Sequence, residues 1–447
     1  MSGQSAADQS LSLRLAERLA RPPTADDRKR AARHVIDWAG CAVAARAAPA
    51  ARAMAACFPG DDPRADWPSA AMALGALGNV LEMDDVDKRA LLHPGPVVVP
   101  AALIAAARTG ASDGAMLDAI VRGYEATIRV GRAVGRGHYR FWHNTGTCGP
   151  FGAAAAAGSI IGLDTDRLAQ ALGLAGTQSS GFWQVRHEPE SHAKQLHTAR
   201  ATHAGLSAAY LVAGGFVGLR TVLEGAQGFF AATCPDGAPS AVVAEEAGWA
   251  IYDVSFKPWP ACRHAHAAID AALAARDDGV EAGDVAAADV ETYGDAVVFC
   301  DKPYPDDTLS AKFSLQHAAA ATLVYGAPGL DRFEGAGLAD ARTADLRARV
   351  AVSVDPEIDA RYPARFGARL TIKRRDGSEC VYDAPDAFGD PENPMTDADV
   401  EHKFRMLADY AAVAPGAVDA AFASVEGPYD GKLLCEQALR LATGQVA

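Results

Sequence analysis

Two segments of this chain consist almost entirely of small apolar residues, and they restrict the fold more than any other feature. The sequence reads PAALIAAART over residues 100–109 and GPFGAAAAAGSIIG over residues 149–162. A helix that is apolar on every side has to be buried on every side. We therefore predict that both segments are helices at the centre of a layer of packed helices.

Helical periodicity dominates from about residue 10 to residue 250. Apolar residues recur at i, i+3, i+4 and i+7, and glycine-containing turns close several of these runs. The same pattern returns at TDADVEHKFRMLADYAA, where Thr396 is a candidate N-cap, and at CEQALRLATG. Four other runs predict helices: SLSLRLAERLA at 10–20, DRKRAARHVIDWAGCAVAA at 27–45, TDRLAQALGLAGTQSSG at 165–181 and HTARATHAGLSAAYLVAGGF at 197–216.

The pattern changes between these helical parts. Four runs of β-forming residues predict an antiparallel sheet, and Asp376-Gly377 predicts a tight hairpin turn between the last two. Two helical runs separate them, HAHAAIDAALAARDD and SAKFSLQHAAAATLVYG. The chain is thus predicted to be mainly α, with an all-helical domain built from both chain ends (1–253 and 396–447) and an inserted α+β domain (254–395). The predicted strands are DVETYG at 289–294, RVAVSVD at 349–355, RLTIKRR at 369–375 and CVYDA at 380–384.

Charge and composition exclude several classes of partner. The formal net charge of −14 argues against nucleic-acid binding, which needs a basic face. No uncharged apolar run approaches the roughly 18–20 residues of a membrane span. The eight cysteines are scattered without a CxxC pair, which is typical of reduced thiols, and no signal peptide is recognisable at the start. We therefore expect a cytoplasmic protein that binds neither membranes nor nucleic acid.

A run of carboxylates lies between two apolar segments, in MDDVDKRALLHPGP. Glu82, Asp84, Asp85 and Asp87 are followed by His93 in a His-Pro-Gly sequence. A metal site, a solvated loop with ion pairs to its own Lys88 and Arg89, and a metal-free acid/base site would each explain this pattern. HExxH, EF-hand and zinc-ligand spacings are absent from the sequence, so we expect no metal. The solvated loop remains open as the alternative.

Other basic residues stand where loops enter predicted helices. His143 and Thr145 precede a Gly-Pro break, and Lys194 and His197 are spaced i, i+3 on one helical face. Each group could equally be a helix cap or an exposed basic turn. Together they suit proton abstraction next to a carboxylate, which needs a base, an acid and fixed positive charge. A third group follows two prolines and comprises Lys257, Arg263 and His266.

Several ordered segments resemble the MmgE/PrpD family, which includes 2-methylcitrate dehydratase, cis-aconitate decarboxylase and iminodisuccinate epimerase. The resemblance covers nearly the whole chain. It lies in LEMDDVDKRALLHPGPVVVPAAL, FWHNTGTCGPFGAAAAA, GTQSSG, AKQLHTARATHAGLSAAYL, FKPWPACRHAHAAID, AKFSLQHAAA and PENPMTDADVEHKF.

This resemblance implies a helical domain with an inserted α+β lid, a homodimer, and an active site between the domains that needs no metal or organic cofactor. It implies a small polycarboxylate as substrate. The residues that it gives catalytic roles are Asp84, Asp85, His93, His143 and Lys194. We expect the substrate to be bound by Thr145, His197, Lys257, Arg263 and His266.

The chain departs from the family pattern at four positions. Cys262 stands where the decarboxylase branch has a histidine, Glu82 and Val86 replace an aspartate and a threonine, and Phe299 replaces a tyrosine. We therefore favour dehydration of a 2-methylcitrate-like substrate over decarboxylation. Epimerisation of an iminodisuccinate-like substrate through the same enediolate is the second hypothesis, and a non-catalytic protein that binds small acids is the third.

Overall fold

The computed structural model describes residues 10–60, 62–188 and 190–445, which form a mainly α-helical protein with one small sheet. The chain divides into two compact units. The first unit comprises Met1–Val254 and Val400–Ala447, and the second comprises Ser255–Asp399. Among the described residues, no helix is both long and apolar enough to cross a membrane.

The helices of the first unit come from both ends of the chain. Among the residues that the structure describes, the N-terminal part contributes eleven of them, and three more follow in the C-terminal part. They are α1 (Leu11–Leu19), α2 (Ala25–Ala45), α3 (Pro49–Cys57), α4 (Trp67–Leu77), α5 (Gly95–Thr109), α6 (Asp113–Ala133), α7 (Gly135–Tyr139), α8 (Asn144–Ile160), α9 (Thr165–Gly176), α10 (Ala193–Ala213), α11 (Phe229–Thr233), α19 (Asp397–Tyr410), α20 (Pro415–Glu426) and α21 (Leu433–Thr443).

Helix α8 is the centre of the first unit and packs against α5, α6, α9 and α10. Small residues allow these helices to approach closely. A Cβ placed on Gly152 of α8 would lie 2.8 Å from the carbonyl oxygen of Gly123 in α6, and one on Gly205 of α10 would lie 2.3 Å from the Cβ of Ala153. The prediction that the small-residue segments are buried helices is confirmed, since almost every residue of α5 and α8 is buried.

The predicted start of α8 was wrong. The Gly149-Pro150 pair does not precede the helix, because α8 begins at Asn144 and continues through Pro150. A proline inside a helix removes one hydrogen bond and costs about 3 kcal/mol. Burial of α8 against four other helices outweighs that cost, so His143 becomes the residue at the N-cap.

The second unit contains all four strands found among the described residues. The predicted strands are confirmed, but the sheet is mixed and not antiparallel throughout. Its order is β2-β1-β3-β4, with β1 parallel to β2 and antiparallel to β3. The elements are α12 (His266–Asp277), β1 (Val285–Thr292), α13 (Gly294–Cys300), α14 (Thr308–Lys312), α15 (Leu315–Tyr325), α16 (Gly335–Leu338), α17 (Ala341–Arg347), β2 (Val350–Val354), α18 (Pro356–Asp359), β3 (Ala368–Arg374) and β4 (Glu379–Ala384).

Two local predictions at the end of the second unit are confirmed. Strands β3 and β4 form an antiparallel hairpin, and Gly377 in its turn has a φ of +89°, which glycine adopts without strain. The Thr396 hydroxyl accepts a hydrogen bond from the backbone N–H of Asp399 (3.2 Å). The Asp399 carboxylate accepts one from the backbone N–H of Thr396 (2.8 Å), which completes a capping box at the start of α19.

Candidate active site

The four carboxylates of the sequence motif lie in residues 78–94, which connect α4 to α5 and which we call the acidic loop. Glu82, Asp84, Asp85 and Asp87 are each at most 3% exposed. Buried carboxylates require partners, because removing a charge from water is costly. The solvated-loop alternative is therefore wrong, and Arg89 lies near Glu246 and Asp253 of a different segment (3.6 and 3.8 Å).

Asp84 contacts His93, the last titratable residue of the acidic loop. The imidazole Nδ1 lies 2.9 Å from Asp84 Oδ2 and 2.8 Å from the backbone oxygen of Asp85. The carbonyl oxygen can only accept, so Nδ1 carries the hydrogen and donates it. In the neutral ring the lone pair is then on Nε2. The side-chain N–H of Asn79 donates to Asp84 Oδ2 (2.7 Å) and holds this carboxylate in place.

Asp85 has different partners, although it is adjacent in the chain. Its Oδ2 accepts a hydrogen bond from the Tyr124 hydroxyl (2.6 Å) and lies 2.7 Å from Nδ1 of His34. Its Oδ1 accepts from the backbone N–H of Gly95 (2.8 Å), at the start of α5. The Asp85 carboxylate therefore connects α2, α5 and α6. Only its backbone carbonyl contacts His93, so Asp85 orients that histidine through the main chain.

Asp87 fixes the shape of the acidic loop. Its carboxylate accepts hydrogen bonds from the backbone N–H of Ala90 (2.6 Å) and from the Arg132 guanidinium of α6 (2.5 Å). Its backbone pairs with that of Leu92, the residue before His93, in a short antiparallel bridge. The position of His93 is thereby defined from within the loop and from α6.

Glu82 forms an ion pair with Lys194, which lies in the first turn of α10. The side chains of these residues are 4% and 13% exposed, so water screens the pair weakly. Glu82 has a φ of +60°, in the left-handed region that residues with a Cβ rarely adopt. Such a backbone costs on the order of 1–3 kcal/mol, which the surrounding contacts have to offset.

His143 is buried at the start of α8, beside His197 of α10. Their Nδ1 atoms are 3.2 Å apart, and the ring of Trp183 lies 4.5 Å from that of His143. Burial lowers the pKa of His143 well below its usual value, and the positive charge of Lys194 contributes. Burial and Lys194 also lower the pKa of His197 to about 4. Both rings are therefore neutral at physiological pH, and Nε2 of His143 makes no hydrogen bond to a described residue.

The first turn of α8 connects these histidines to the acidic loop. The Thr145 hydroxyl accepts a hydrogen bond from the backbone N–H of His93 (3.0 Å), and the Asn144 amide donates to the backbone oxygen of Ala90 (2.7 Å). The first unit therefore brings seven of the ten predicted site residues into one cluster, which we call the histidine cluster: Asp84, Asp85, His93, His143, Thr145, Lys194 and His197.

The other three predicted residues, Lys257, Arg263 and His266, belong to the second unit and are buried there. The Arg263 guanidinium lies 2.5 Å from Asp390 Oδ1 and donates to the backbone oxygens of Phe388 and Ala387 (3.1 and 3.3 Å). His266 Nδ1 lies 3.1 Å from Nη1 of Arg263, and its Nε2 lies 3.1 Å from the backbone oxygen of Ala261. These contacts favour a structural role for Arg263 and His266 over direct binding of a substrate.

Several residues that hold the histidine cluster were not predicted from the sequence. His34, Tyr124 and Arg132 contact the acidic loop through tertiary packing, Asn79 lies within the loop, and no motif marked them. Glu82 was quoted with the acidic run but was not assigned a role, although its position beside Asp84 was a usable signal. In residues 10–60, 62–188 and 190–445, no group of three or more His, Cys, Asp or Glu side chains is arranged to hold a metal.

The chain is similar to cis-aconitate decarboxylases and to a cis-aconitate decarboxylase-like protein. The chain is 27% identical over 371 residues to a cis-aconitate decarboxylase-like protein, oryM, of Aspergillus oryzae, covering 76% of this chain and 75% of the relative. It is 26% identical over 367 residues to the cis-aconitate decarboxylase of Aspergillus terreus, covering 76% and 74%. The mouse cis-aconitate decarboxylase is 24% identical over 284 residues, with 60% and 55% covered.

Family profiles match both parts of the sequence. The profile of the MmgE/PrpD N-terminal domain matches residues 14–242, and that of the MmgE/PrpD C-terminal domain matches residues 259–422. Together they cover most of the chain, including every residue of the histidine cluster and most of the second unit. This protein therefore belongs to the MmgE/PrpD family.

Proposed function

We propose that this protein is a lyase that removes the proton α to a carboxylate of a small polycarboxylate and then eliminates water. The observation that carries the proposal is the geometry of His93. Its Nδ1 donates to Asp84 and to a backbone oxygen, so its Nε2 carries a lone pair and serves as the base. The Asp84 carboxylate stabilises the imidazolium that forms when the proton arrives.

The proposed reaction needs one base, one acid and a positive charge. His93 Nε2 takes the α-proton, and the C–H electron pair passes into the adjacent carboxylate as an enediolate. The electron pair returns to form the C=C bond as the β-hydroxyl leaves. Lys194 donates the proton that converts this hydroxyl to water. Proton exchange with solvent then restores neutral His93 and protonated Lys194.

His143 has a different role in this proposal. A buried histidine that stays neutral is a weak source of protons, but it forms hydrogen bonds through its ring nitrogens. We assign it to orienting the substrate through Nε2, beside the ammonium of Lys194. Contributions of Lys257, Arg263 and His266 to substrate binding remain predictions from the family resemblance.

Decarboxylation is the second candidate reaction. It is favoured by the names of the relatives, which are cis-aconitate decarboxylases or similar to them. Against it stands Cys262, which occupies the position of a histidine in the decarboxylase branch. Epimerisation of an iminodisuccinate-like substrate would use the same proton abstraction followed by return of a proton to carbon.

One experiment separates these reactions. The protein is incubated in D₂O with 2-methylcitrate, citrate, cis-aconitate and iminodisuccinate separately, and NMR follows α-deuteration, loss of water and release of CO₂. We expect an unsaturated product from a hydroxylated substrate. Release of CO₂ from cis-aconitate supports the decarboxylase, and deuteration without elimination supports the epimerase. Binding without any of these changes identifies a non-catalytic protein and overturns the proposal.

The control for this experiment is the His93→Gln variant. Glutamine keeps a polar side chain of similar reach but cannot act as a base near neutral pH. We expect deuteration and turnover to fall by at least about 1,000-fold while the unfolding midpoint changes little. Turnover within tenfold of the unmodified protein would show that His93 is not the base.

A further inference from the structure

We infer that Glu82 is a positioning residue that keeps Lys194 protonated, so that Lys194 serves as a fixed cation and proton donor and not as the base. This inference rests on the proposed function. It assigns a role to a carboxylate that the resemblance leaves without one. It also decides between His93 and Lys194 as the group that removes the substrate proton.

The environment of the Lys194 ammonium requires a counter-ion. The side chain of Lys194 is 13% exposed and lies at the N-terminal end of α10, where the helix dipole also disfavours a positive charge. Burial without a counter-ion would favour the neutral amine. Glu82 supplies that counter-ion, since its carboxylate contacts the Lys194 Nζ directly and is itself only 4% exposed.

Several charged and titratable groups lie near Lys194. The acidic loop contributes Glu82, α8 contributes His143 at its N-cap, and α10 itself contributes His197. Arg186, in the short 3-10 turn at residues 183–187, lies near the same His143. The histidines are neutral or positive, and Arg186 is positive. Glu82 is thus the group in this set whose negative charge contacts the ammonium.

The backbone of Glu82 is strained. Its φ of +60° is unusual for a residue with a Cβ, and it directs the side chain from a buried loop to α10. A strained backbone conformation costs free energy, and its presence beside the histidine cluster favours a function for the Glu82 carboxylate. Asp84 and Asp85, two and three residues away, contact His93 and Tyr124 respectively.

The test compares Glu82→Gln in two backgrounds. With Lys194 present, E82Q should lower kcat by about 100-fold at about pH 9 and much less at about pH 6, where the amine regains its proton. In a Lys194→Arg background the cation cannot lose its charge, so adding E82Q should change kcat by less than about threefold at either pH. An equal loss in both backgrounds would show that Glu82 is merely structural, and no loss in either would overturn the inference.

Binding measurements replace turnover if K194R is inactive or if no substrate is converted. If K194R is inactive, calorimetric binding of tricarballylate, an unreactive tricarboxylate, replaces turnover, and E82Q should bind it at least about tenfold more weakly at about pH 9 than at about pH 6. Equal affinity at both pH values, matching the unmodified protein, contradicts the inference. If the unmodified protein binds tricarballylate but converts none of the four substrates, the proposed function fails while this binding test still decides the role of Glu82.

A matched variant controls for the loss of a buried carboxylate. Glu125 in α6 is buried and paired with Arg18 and Arg129, with no contact to the acidic loop among the described residues. Glu125→Gln should lower the unfolding midpoint at least as much as E82Q does. Its kcat should show no loss that is specific to high pH.

Discussion

The two units of this protein each contain a group of buried ionisable side chains. The histidine rings of the two groups differ in how many of their nitrogens form hydrogen bonds. In the histidine cluster, Nδ1 of His143 lies beside Nδ1 of His197, and the buried Nε2 of His143 makes no hydrogen bond to a described residue. In the second unit, both ring nitrogens of His266 lie within hydrogen-bonding distance of Arg263 or a backbone oxygen.

This difference between the histidine rings favours the histidine cluster as the group that is available to a substrate, although Arg263 Nε in the second unit also makes no hydrogen bond to a described residue. A buried polar atom without a protein partner is costly, so a fold retains it only where something else offsets the cost. The residue types of the two groups are similar, and their position after loops is similar. The hydrogen bonds of the histidine rings therefore distinguish the two groups, and the residue types do not.

The largest expected effect is that of Asp84→Asn in the histidine cluster. The amide keeps the size of the side chain but cannot stabilise an imidazolium, and it offers a donor where Nδ1 of His93 also donates. We expect kcat to fall by about 100- to 10,000-fold. Steady-state kinetics and an unfolding midpoint measured on the same preparation check this. A loss below tenfold would remove Asp84 from the proton-transfer step.

The second prediction tests the structural assignment in the second unit. Arg263→Met removes a cation that is paired with the buried carboxylate of Asp390 and should lower the free energy of unfolding by about 3–5 kcal/mol. The double variant R263M/D390N removes both charges and keeps an acceptor for Ser255, whose hydroxyl donates to Asp390 (2.5 Å). It should recover most of the stability, as measured by urea unfolding.

The same double variant also measures whether Arg263 binds a substrate carboxylate. If its role is structural, KM of the folded double variant stays within about threefold of the unmodified value. A rise in KM of tenfold or more, about 1.4 kcal/mol of binding, would show that the two units are not as different as their hydrogen bonds indicate.

The smallest expected effect concerns His34, which contacts the Asp85 carboxylate. Burial lowers its pKa from 6.5 to about 4. The unfolded chain therefore binds a proton that the folded chain does not, and this contribution to stability is lost as pH falls from about 6.5 to about 4. One such group contributes about 3 kcal/mol over that window.

Comparison with His34→Gln isolates this contribution. Asp37 has an opposite effect, because burial raises its pKa to about 6 and its contribution is lost as pH rises through that value. The variant removes only the histidine, so its free energy of unfolding should fall less than that of the unmodified protein between about pH 7 and about pH 4. Parallel pH profiles would show that His34 is not held neutral.

Much of the fold could be predicted from local pattern. The four strands, the Asp376-Gly377 turn and the Thr396 cap depend on neighbouring residues and were predicted correctly. The sheet order could not be predicted in this way, because pairing β1 in parallel with β2 depends on the intervening segment and not on the strand sequences. The start of α8 was missed because burial outweighs the usual effect of Pro150.

The site was predictable in its residue types but not in its contacts. Motif resemblance selected seven residues that the first unit brings together, starting from segments far apart in the chain. The resemblance could not distinguish the roles of Asp84 and Asp85, since these roles depend on which helix each side chain faces. The partners Tyr124 and His34 lie on helices whose sequences give no sign of the acidic loop.

The hydrogen bond from the backbone of His93 to Thr145 has a consequence for how this enzyme type can diversify. It connects the two segments that carry His93 and His143 without using either imidazole. Replacements in the 3-10 turn at residues 183–187, where Trp183 packs against His143, leave this hydrogen bond in place. We therefore expect such replacements to alter which molecule is accepted without moving His93. New substrates can arise in such a protein by changes outside the acidic loop.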